Sequence, residues 1–542
     1  MHNYNKTKLL RQAFDAAPLW PLGLSDSKSC AQAIGAALAG ASGKEDDQGL
    51  VLCAVALAEW AWQFYPLDNE VLSLLAFLQE SGADFGPAAP LIKTLADGSP
   101  SGRTTLSDLK IPERSAVALR QAWGRCHAAA LAGDDAPAEE LLHALHAAGL
   151  PELPALTARL RAEIALLRQE NGADETIFEL INAIDESLFG AWKDWQLGRF
   201  LLQRGDRSGA AKHLARLRPR YFWHPNLILI LHDLLAPRPA LPADHAPPAI
   251  LLYSWNKCDA LRITLESLRA SNTGAAPVFV LDNGSTDGTA EMLRGMKEAW
   301  STPFTLISLP ANVGAPAARN WLLSLPEVRA HAYAAFLDDD VILPQGWLQE
   351  LTTTALANPQ AGAVGCAVTD HTPPFGIQAA DFHLLSPAEG LRSFADQEET
   401  IFPFCQALGR HDTFALHYTR PCASVTGCCH LLSMRAVEEI GAFDVRFNPS
   451  QFDDLERDLR LGRRGWEVYF HGPLTVRHMQ HSSLRQAMTV RQQAHIMGNR
   501  LKLEYLFTAK EAAELRQKTR QRIEEDLLRK CAALDKMLGG TA

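Results

Sequence analysis

The spacing of apolar residues changes once along the chain, and that change limits the folds open to it. Before Pro237-Arg238-Pro239 the apolar positions recur three and four residues apart, and almost no strand-like alternation occurs. After Pro247-Pro248 short apolar runs alternate with helical stretches. Strands are expected over Ala249 to Trp255, Val278 to Leu281, Phe304 to Leu309 and Tyr333 to Leu337, with helices over Asp259 to Ala270 and Gly288 to Trp300. Strands alternating with helices close into a parallel α/β sheet with right-handed crossovers. The expected organisation is an α-helical domain over 1–236, a stiff Pro-rich linker over 237–248, an α/β domain over 249–485 and a helical extension over 486–542.

Within the helical part, Leu50 to Tyr65, Asn69 to Gln79, Arg114 to Ala132, Ala138 to Ala148 and Thr157 to Gln169 carry the helical period between Gly, Pro or Asp breaks. Leu197, Gly198, Gly205, Asp206, Ala210 and Leu214 resemble one tetratricopeptide repeat, in which small residues let paired helices pack closely. Such arrays present concave surfaces to partner proteins. The competing reading is that these helices only brace the next domain.

With 47% hydrophobic and 21% charged residues among 542, the chain can build large cores. A net charge of −10 argues against nucleic acid or an anionic membrane as a partner held by bulk charge. The longest apolar runs, such as Leu50 to Ala58, stop well short of a transmembrane segment, and Met1 to Lys6 is polar, so a cytoplasmic protein is expected. Among ten cysteines, Cys422, Cys428 and Cys429 lie near His430, but their spacing misses the structural zinc patterns. Adjacent cysteines in that strand-like run are expected to point one inward and one outward.

The fourth strand ends in Asp338-Asp339-Asp340, and the second in Leu281-Asp282-Asn283-Gly284-Ser285-Thr286-Asp287-Gly288-Thr289. Each acid has a plain explanation as a solvated face or a turn residue. Their shared location is the informative part, because ligands of open α/β sheets bind beyond the carboxyl ends of the strands. Ser254 and Asn256, at the end of the first strand, supply donors and acceptors for a base or ribose at that same edge.

Ser254-Trp255-Asn256, the Asp282 to Thr289 turn, Asn312-Val313-Gly314-Ala315-Pro316-Ala317-Ala318-Arg319-Asn320 and Phe336 to Asp340 together resemble the inverting family 2 glycosyltransferases, over about residues 248–485. The resemblance implies a GT-A nucleotide-sugar-binding, Rossmann-like fold. It places Ser254, Asn256, Asp282, Gly314, Arg319, Asp338 and Asp339 with the nucleotide, and Asp338, Asp340 and His478 with a divalent metal, Mn2+ or Mg2+. Phe452-Asp453-Asp454-Leu455-Glu456-Arg457-Asp458-Leu459-Arg460 resembles the family's Glu-Asp-x-Asp-Leu-x-x-Arg element, with Asp453 replacing Glu and Glu456 replacing Asp. Asp454, or Asp453 beside it, then falls where the acceptor is deprotonated, with Arg457 as a nearby stabilising charge. Thr426-Gly427 falls at the acceptor pocket, and His481 is the alternative to His478 near the metal. The implied activity is transfer of a sugar from a nucleotide sugar, UDP-sugar favoured, to a glycan or protein acceptor, recruited by the helical domain.

The acids by themselves also account for a helix start, where the dipole favours negative charge, with Glu456 paired to Arg460. Two rivals accompany this reading. A haloacid-dehalogenase-like phosphohydrolase also carries Asp-x-Asp after a strand, but on its first strand, and Ile342 follows the motif here. A non-catalytic scaffold with a relic transferase domain would not need acids at both positions. Thr372 to Pro421, aromatic and without clear period, is expected to be a binding loop.

Overall fold

The computed structural model describes residues 6–24, 26–41, 48–96, 153–168, 174–242, 244–372, 375–385, 400–410, 414–479 and 490–539, with isolated positions between 124 and 139. The chain divides into two compact units, Met1–Ala236 with Leu527–Ala542, and Pro237–Asp526. The helices expected over Arg114 to Ala132 and Ala138 to Ala148 lie outside the described residues apart from those isolated positions.

Among the described residues, the regular structure of the first unit is helical. Helix Gln48–Phe64 buries Trp60 and Trp62. Trp60 stacks on Phe64 at 4.3 Å between ring centroids and meets Trp195 edge-on at 5.4 Å. Helices Glu186–Gln203 and Arg207–Leu217 form a close pair. A Cβ at Gly198 would lie 3.0 Å from Leu214 Cγ and 3.5 Å from the Ala210 carbonyl, so a larger side chain would push this pair apart.

The second unit is built on a ten-stranded mixed sheet. Its strands are β1 (Ala249–Ser254), β2 (Val278–Asp282), β3 (Phe304–Ser308), β4 (Tyr333–Leu337), β5 (Val341–Ile342), β6 (Ala361–Asp370), β7 (Ile377–Ala379), β10 (Thr419–Cys422), β11 (Cys429–Ser433) and β12 (Glu467–His478); β8 (His383–Leu385) and β9 (Phe402–Phe404) pair separately. The main order is β10-β12-β6-β11-β4-β1-β2-β3. Strands β4, β1, β2 and β3 are parallel, and β11 runs antiparallel between β4 and β6. Runs such as Ile250-Leu251-Leu252 and Val278-Phe279-Val280-Leu281 are wholly buried, as expected of strands covered on both faces.

Register fixes the functional edge. Ser254 lies opposite Asp282, and Leu252 lies opposite Leu337, so the acids after Leu337 emerge level with the end of β1. Sandwiching also overturns the expectation for the adjacent cysteines. Cys428, in the turn before β11, and Cys429, its first residue, are both buried, because both sides are covered here. The expected C-terminal helical stretch appears as Val490–Leu506 and Ala509–Gly539.

Candidate active site

Strand β1 ends at buried Ser254, and the chain turns at Asn256 with φ of +52°, a region asparagine enters more readily than most residues. The Asn256 N–H donates to Ser285 Oγ at 3.0 Å, and its Oδ1 accepts from the Thr286 N–H at 2.7 Å. Asp282, buried at the end of β2, accepts from the Ser285 N–H at 3.0 Å. The loops after β1 and β2 are thus laced into one rim, on which Trp255 is 50% exposed. Gly314 opens the next helix with φ of +86°. A Cβ there would stand 2.5 Å from Asn448 Oδ1, so only glycine fits.

Asp338, Asp339 and Asp340 diverge from the end of β4. Asp339 turns inward, accepting from Ser254 Oγ at 2.6 Å and from Lys257 Nζ at 3.1 Å. Asp340 accepts from Lys257 Nζ at 2.9 Å and lies 2.8 Å from His478 Nε2. The other His478 nitrogen, Nδ1, sits 2.7 Å from Gln378 Oε1, which fixes the ring and leaves Nε2 facing the acids. One ligand atom each from Asp338, Asp340 and His478 lie within 4.8 Å of one another. Their electrostatics differ sharply. Burial lifts the Asp338 carboxyl to about 6, although Arg319 opposes the rise. Asp340 is also buried, but its hydrogen bond and charge contact with His478, together with Lys257, hold it down to about 2. Burial works against the His478 cation, yet Asp340 raises its pKa.

Arg319 links this cluster to the second acidic motif. Its Nη2 lies 3.4 Å from Asp338 Oδ1, its Nη1 pairs with buried Asp453, and its guanidinium sits over Tyr253 and Phe443. It is therefore committed to the protein's own carboxylates, between β4 and helix Asp453–Arg464. Burial raises the Asp453 carboxyl, with Arg319 opposing. Asp454 is half-buried; its Oδ2 accepts from the Gly427 N–H at 2.7 Å and its Oδ1 from the Leu455 N–H at 2.8 Å. A Cβ at Gly427 would lie 2.9 Å from Arg319 Nη2 and 3.1 Å from Asp454 Oδ2, so the glycine admits this close approach. Helix Asp453–Arg464 starts from two left-handed residues, Gln451 (φ +81°) and Phe452 (φ +71°), each costing on the order of 1–3 kcal/mol.

Arg457 does not serve Asp454 as expected. It bonds Asp458 Oδ1 at 2.9 Å through Nε and at 2.5 Å through Nη2, and meets His430 Nε2 at 2.8 Å. Asp458 in turn accepts from Ser424 Oγ and the Val425 N–H. Arg457 is buried within this network, so the cation beside Asp454 is Arg319. Glu456 and Arg460 do pair, at 2.6 Å. His481 lies outside the described residues.

The stretch from Thr372 to Pro421 carries more regular structure than its sequence suggests: β7, β8, β9 and most of β10. It is anchored by Arg420, whose Nε donates to Asp381 Oδ2 at 2.6 Å while Nη2 meets His383 Nε2 at 2.9 Å. It also supplies Gln378 to the site. Sequence reasoning missed Lys257 and Gln378, which are isolated polar residues whose partners lie 82 and 100 positions away.

Residues 246–498 match the family model described as glycosyltransferase like family 2. The O-antigen biosynthesis protein RfbC of Myxococcus xanthus is 28% identical over 245 residues, 44% of this chain and 18% of that protein. N-acetylglucosaminyl-diphospho-decaprenol L-rhamnosyltransferase of Mycobacterium tuberculosis is 26% identical over 241 residues, 41% of this chain and 72% of that protein. The match thus covers under a fifth of the first relative's length. Among solved structures, GalNAc-T7 with UDP, GalNAc and Mn2+ aligns with a TM-score of 0.37 at 12% identity, covering 49% of each chain. The mannosyltransferase PcManGT from Pyrobaculum calidifontis, in complex with GDP-Man and Mn2+, aligns with a TM-score of 0.34 at 15% identity, covering 62% of this chain and 86% of that one.

Proposed function

We propose that the protein transfers a sugar from a nucleotide sugar to an acceptor hydroxyl, because residues 246–498 match the glycosyltransferase like family 2 model and fold on a mixed α/β sheet. The donor is of the UDP type, the reaction inverts the anomeric carbon, and a divalent metal, Mn2+ or Mg2+, assists it. The observation that carries this reading is the joining of two acidic motifs at one sheet edge by Arg319, which contacts both Asp338 and Asp453.

The donor set fits such an ion: two carboxylates and an imidazole whose ligand atoms lie within 4.8 Å, with Gln378 orienting the ring. A bound divalent cation there would offset charge growing on the departing diphosphate. Ser254, Asn256, Asp282, Gly314 and Asp339 shape the nucleotide rim, and Arg319 orients the acids rather than gripping phosphate. Asp454, half-buried and held by Gly427, takes the proton from the attacking hydroxyl. A separate base and a single displacement give inversion.

The first unit is assigned acceptor recruitment through a tetratricopeptide-like array, supported by the close helix pair at Gly198. A glycan acceptor is supported by the relatives' names, one for O-antigen biosynthesis and one for transfer to N-acetylglucosaminyl-diphospho-decaprenol; a protein acceptor is the alternative. A cytoplasmic setting agrees with the free thiols. Among the described residues no helix is long and apolar enough to cross a membrane.

A panel of nucleotide sugars, each with Mn2+ or Mg2+, tests the reading by thermal shift and by released nucleotide. One donor should stabilise the protein in a metal-dependent way and be slowly hydrolysed. Absence of any metal-dependent donor binding across the panel would overturn it.

A further inference from the structure

We propose that Asn499 is a positioning residue for the acid that deprotonates the acceptor, acting through the left-handed turn that starts the Asp453–Arg464 helix. The inference rests on the glycosyltransferase reading of Asp453 and Asp454. Asn499 lies one residue beyond the stretch matched by the family model, on helix Val490–Leu506.

Gln451 and Phe452 both hold positive φ although neither is glycine, and side chains enter that region only where their surroundings impose it. Phe452, which immediately precedes the helix, has no side-chain cap. Asn499 supplies the missing constraint. Its Nδ2 donates to the Phe447 carbonyl at 2.8 Å and the Ser450 carbonyl at 2.8 Å, with the Gln451 carbonyl at 3.3 Å. Asn499 is 2% exposed, so these carbonyls would lose an otherwise scarce buried donor with it.

The amide is itself held in orientation. Lys502 Nζ donates to Asn499 Oδ1 at 2.9 Å and to the Arg446 carbonyl at 2.8 Å, which points Nδ2 at the turn. The turn continues directly into Asp453 and Asp454, and on its other side the Pro449 carbonyl accepts from the Ala315 N–H at 2.8 Å. One side chain thus controls where the helix begins relative to Gly427 and Arg319. A displacement on the scale of 1 Å at such a position costs roughly 10²-fold in rate.

The test compares the full-length parent with Asn499→Asp, which keeps the shape and removes the donor, and with Asn499→Ala, which adds no charge. The expected result is a split. Donor Kd stays within about twofold while kcat for transfer falls about 10- to 100-fold, and amide exchange quickens at residues 451–456. Adding Gln451→Gly should restore kcat to within about threefold, because glycine takes positive φ without help. Parental kcat and exchange in both Asn499 variants would overturn the proposal, as would donor affinity falling in step with kcat, or failure of Gln451→Gly to rescue. If the parent turns over no nucleotide sugar, the glycosyltransferase reading fails. Exchange at 451–456 then still decides whether Asn499 holds the turn: quickening supports that step, and no change refutes it.

Discussion

Asp340, just past β4, and Asp454, in the first turn of helix Asp453–Arg464, meet different surroundings, so their substitutions should fail in different ways. Asp340 is 3% exposed and is held near pKa 2 through His478 and Lys257, despite its burial. Its folded-state pKa lies below the ordinary aspartate value, so this contact stabilises the fold above about pH 4 and is lost as pH falls toward 2. Asp340→Asn should therefore cost on the order of 2 kcal/mol, more than a surface change, and abolish any Mn2+-dependent thermal shift with donor. A variant that keeps the metal response would remove Asp340 from the ligand set. Asp454→Asn should leave donor affinity almost intact while transfer falls by roughly 10²–10⁴-fold. Asp453→Asn should instead lower stability, because it leaves Arg319 buried with one of its partners removed, at a cost of about 3–5 kcal/mol. If transfer survives Asp454→Asn and vanishes only in Asp453→Asn, the base is Asp453.

At the scale of elements, helix Pro225–Leu235 carries its own pH sensitivity. Its N-cap His224 is 1% exposed, 4.3 Å from the Trp60 ring, and its pKa is pushed down to about 3 by burial. The unfolded chain takes up a proton near pH 6.5 that the folded helix refuses, so stability should fall on acidification below that point. The slope approaches about 1.4 kcal/mol per pH unit for this one proton. Urea unfolding of the parent and of His224→Asn between pH 7 and 5 measures it; the variant should be flatter by nearly one proton, and equal slopes would contradict the assignment. The elements themselves were unequally legible. Strands β1 to β4 announce themselves as β-prone apolar runs ended by polar residues, and β4 occupies the expected Tyr333–Leu337. The buried strand β6 does not, because Ala361–Asp370 is built of small residues for reasons of packing. A Cβ at Gly362 would lie 2.6 Å from Leu461 Cδ2, and one at Gly365 2.5 Å from Val425 Cβ. The same limit applies to the site. Asp338, Asp340 and Asp454 are proposed for it from their places on elements, whereas the contacts of Lys257 and Gln378, and those of Asn499, join partners distant in sequence.

For the whole molecule, recruitment and chemistry should be separable. A truncated chain of residues 237–526, the second compact unit, should hydrolyse donor slowly yet fail to glycosylate the natural acceptor. Undiminished transfer by that chain would reject the recruiting role, and insolubility would favour bracing. The cut must fall at both ends, because Leu527–Ala542 belongs with the first unit. There Arg218 donates to Cys531 Sγ at 2.9 Å and to Asp535 Oδ1 at 3.1 Å, and Lys530 lies 3.7 Å from Asp233. This arrangement has a consequence for biosynthesis. A ribosome releases residues in order, and domains ordinarily fold as they emerge. Here the first unit keeps places open for Leu527–Ala542, which follows the sheet unit in the chain, so it stays incomplete while the entire sheet unit is translated. A nascent chain arrested before Leu527 should carry a finished sheet and an unfinished helical partner.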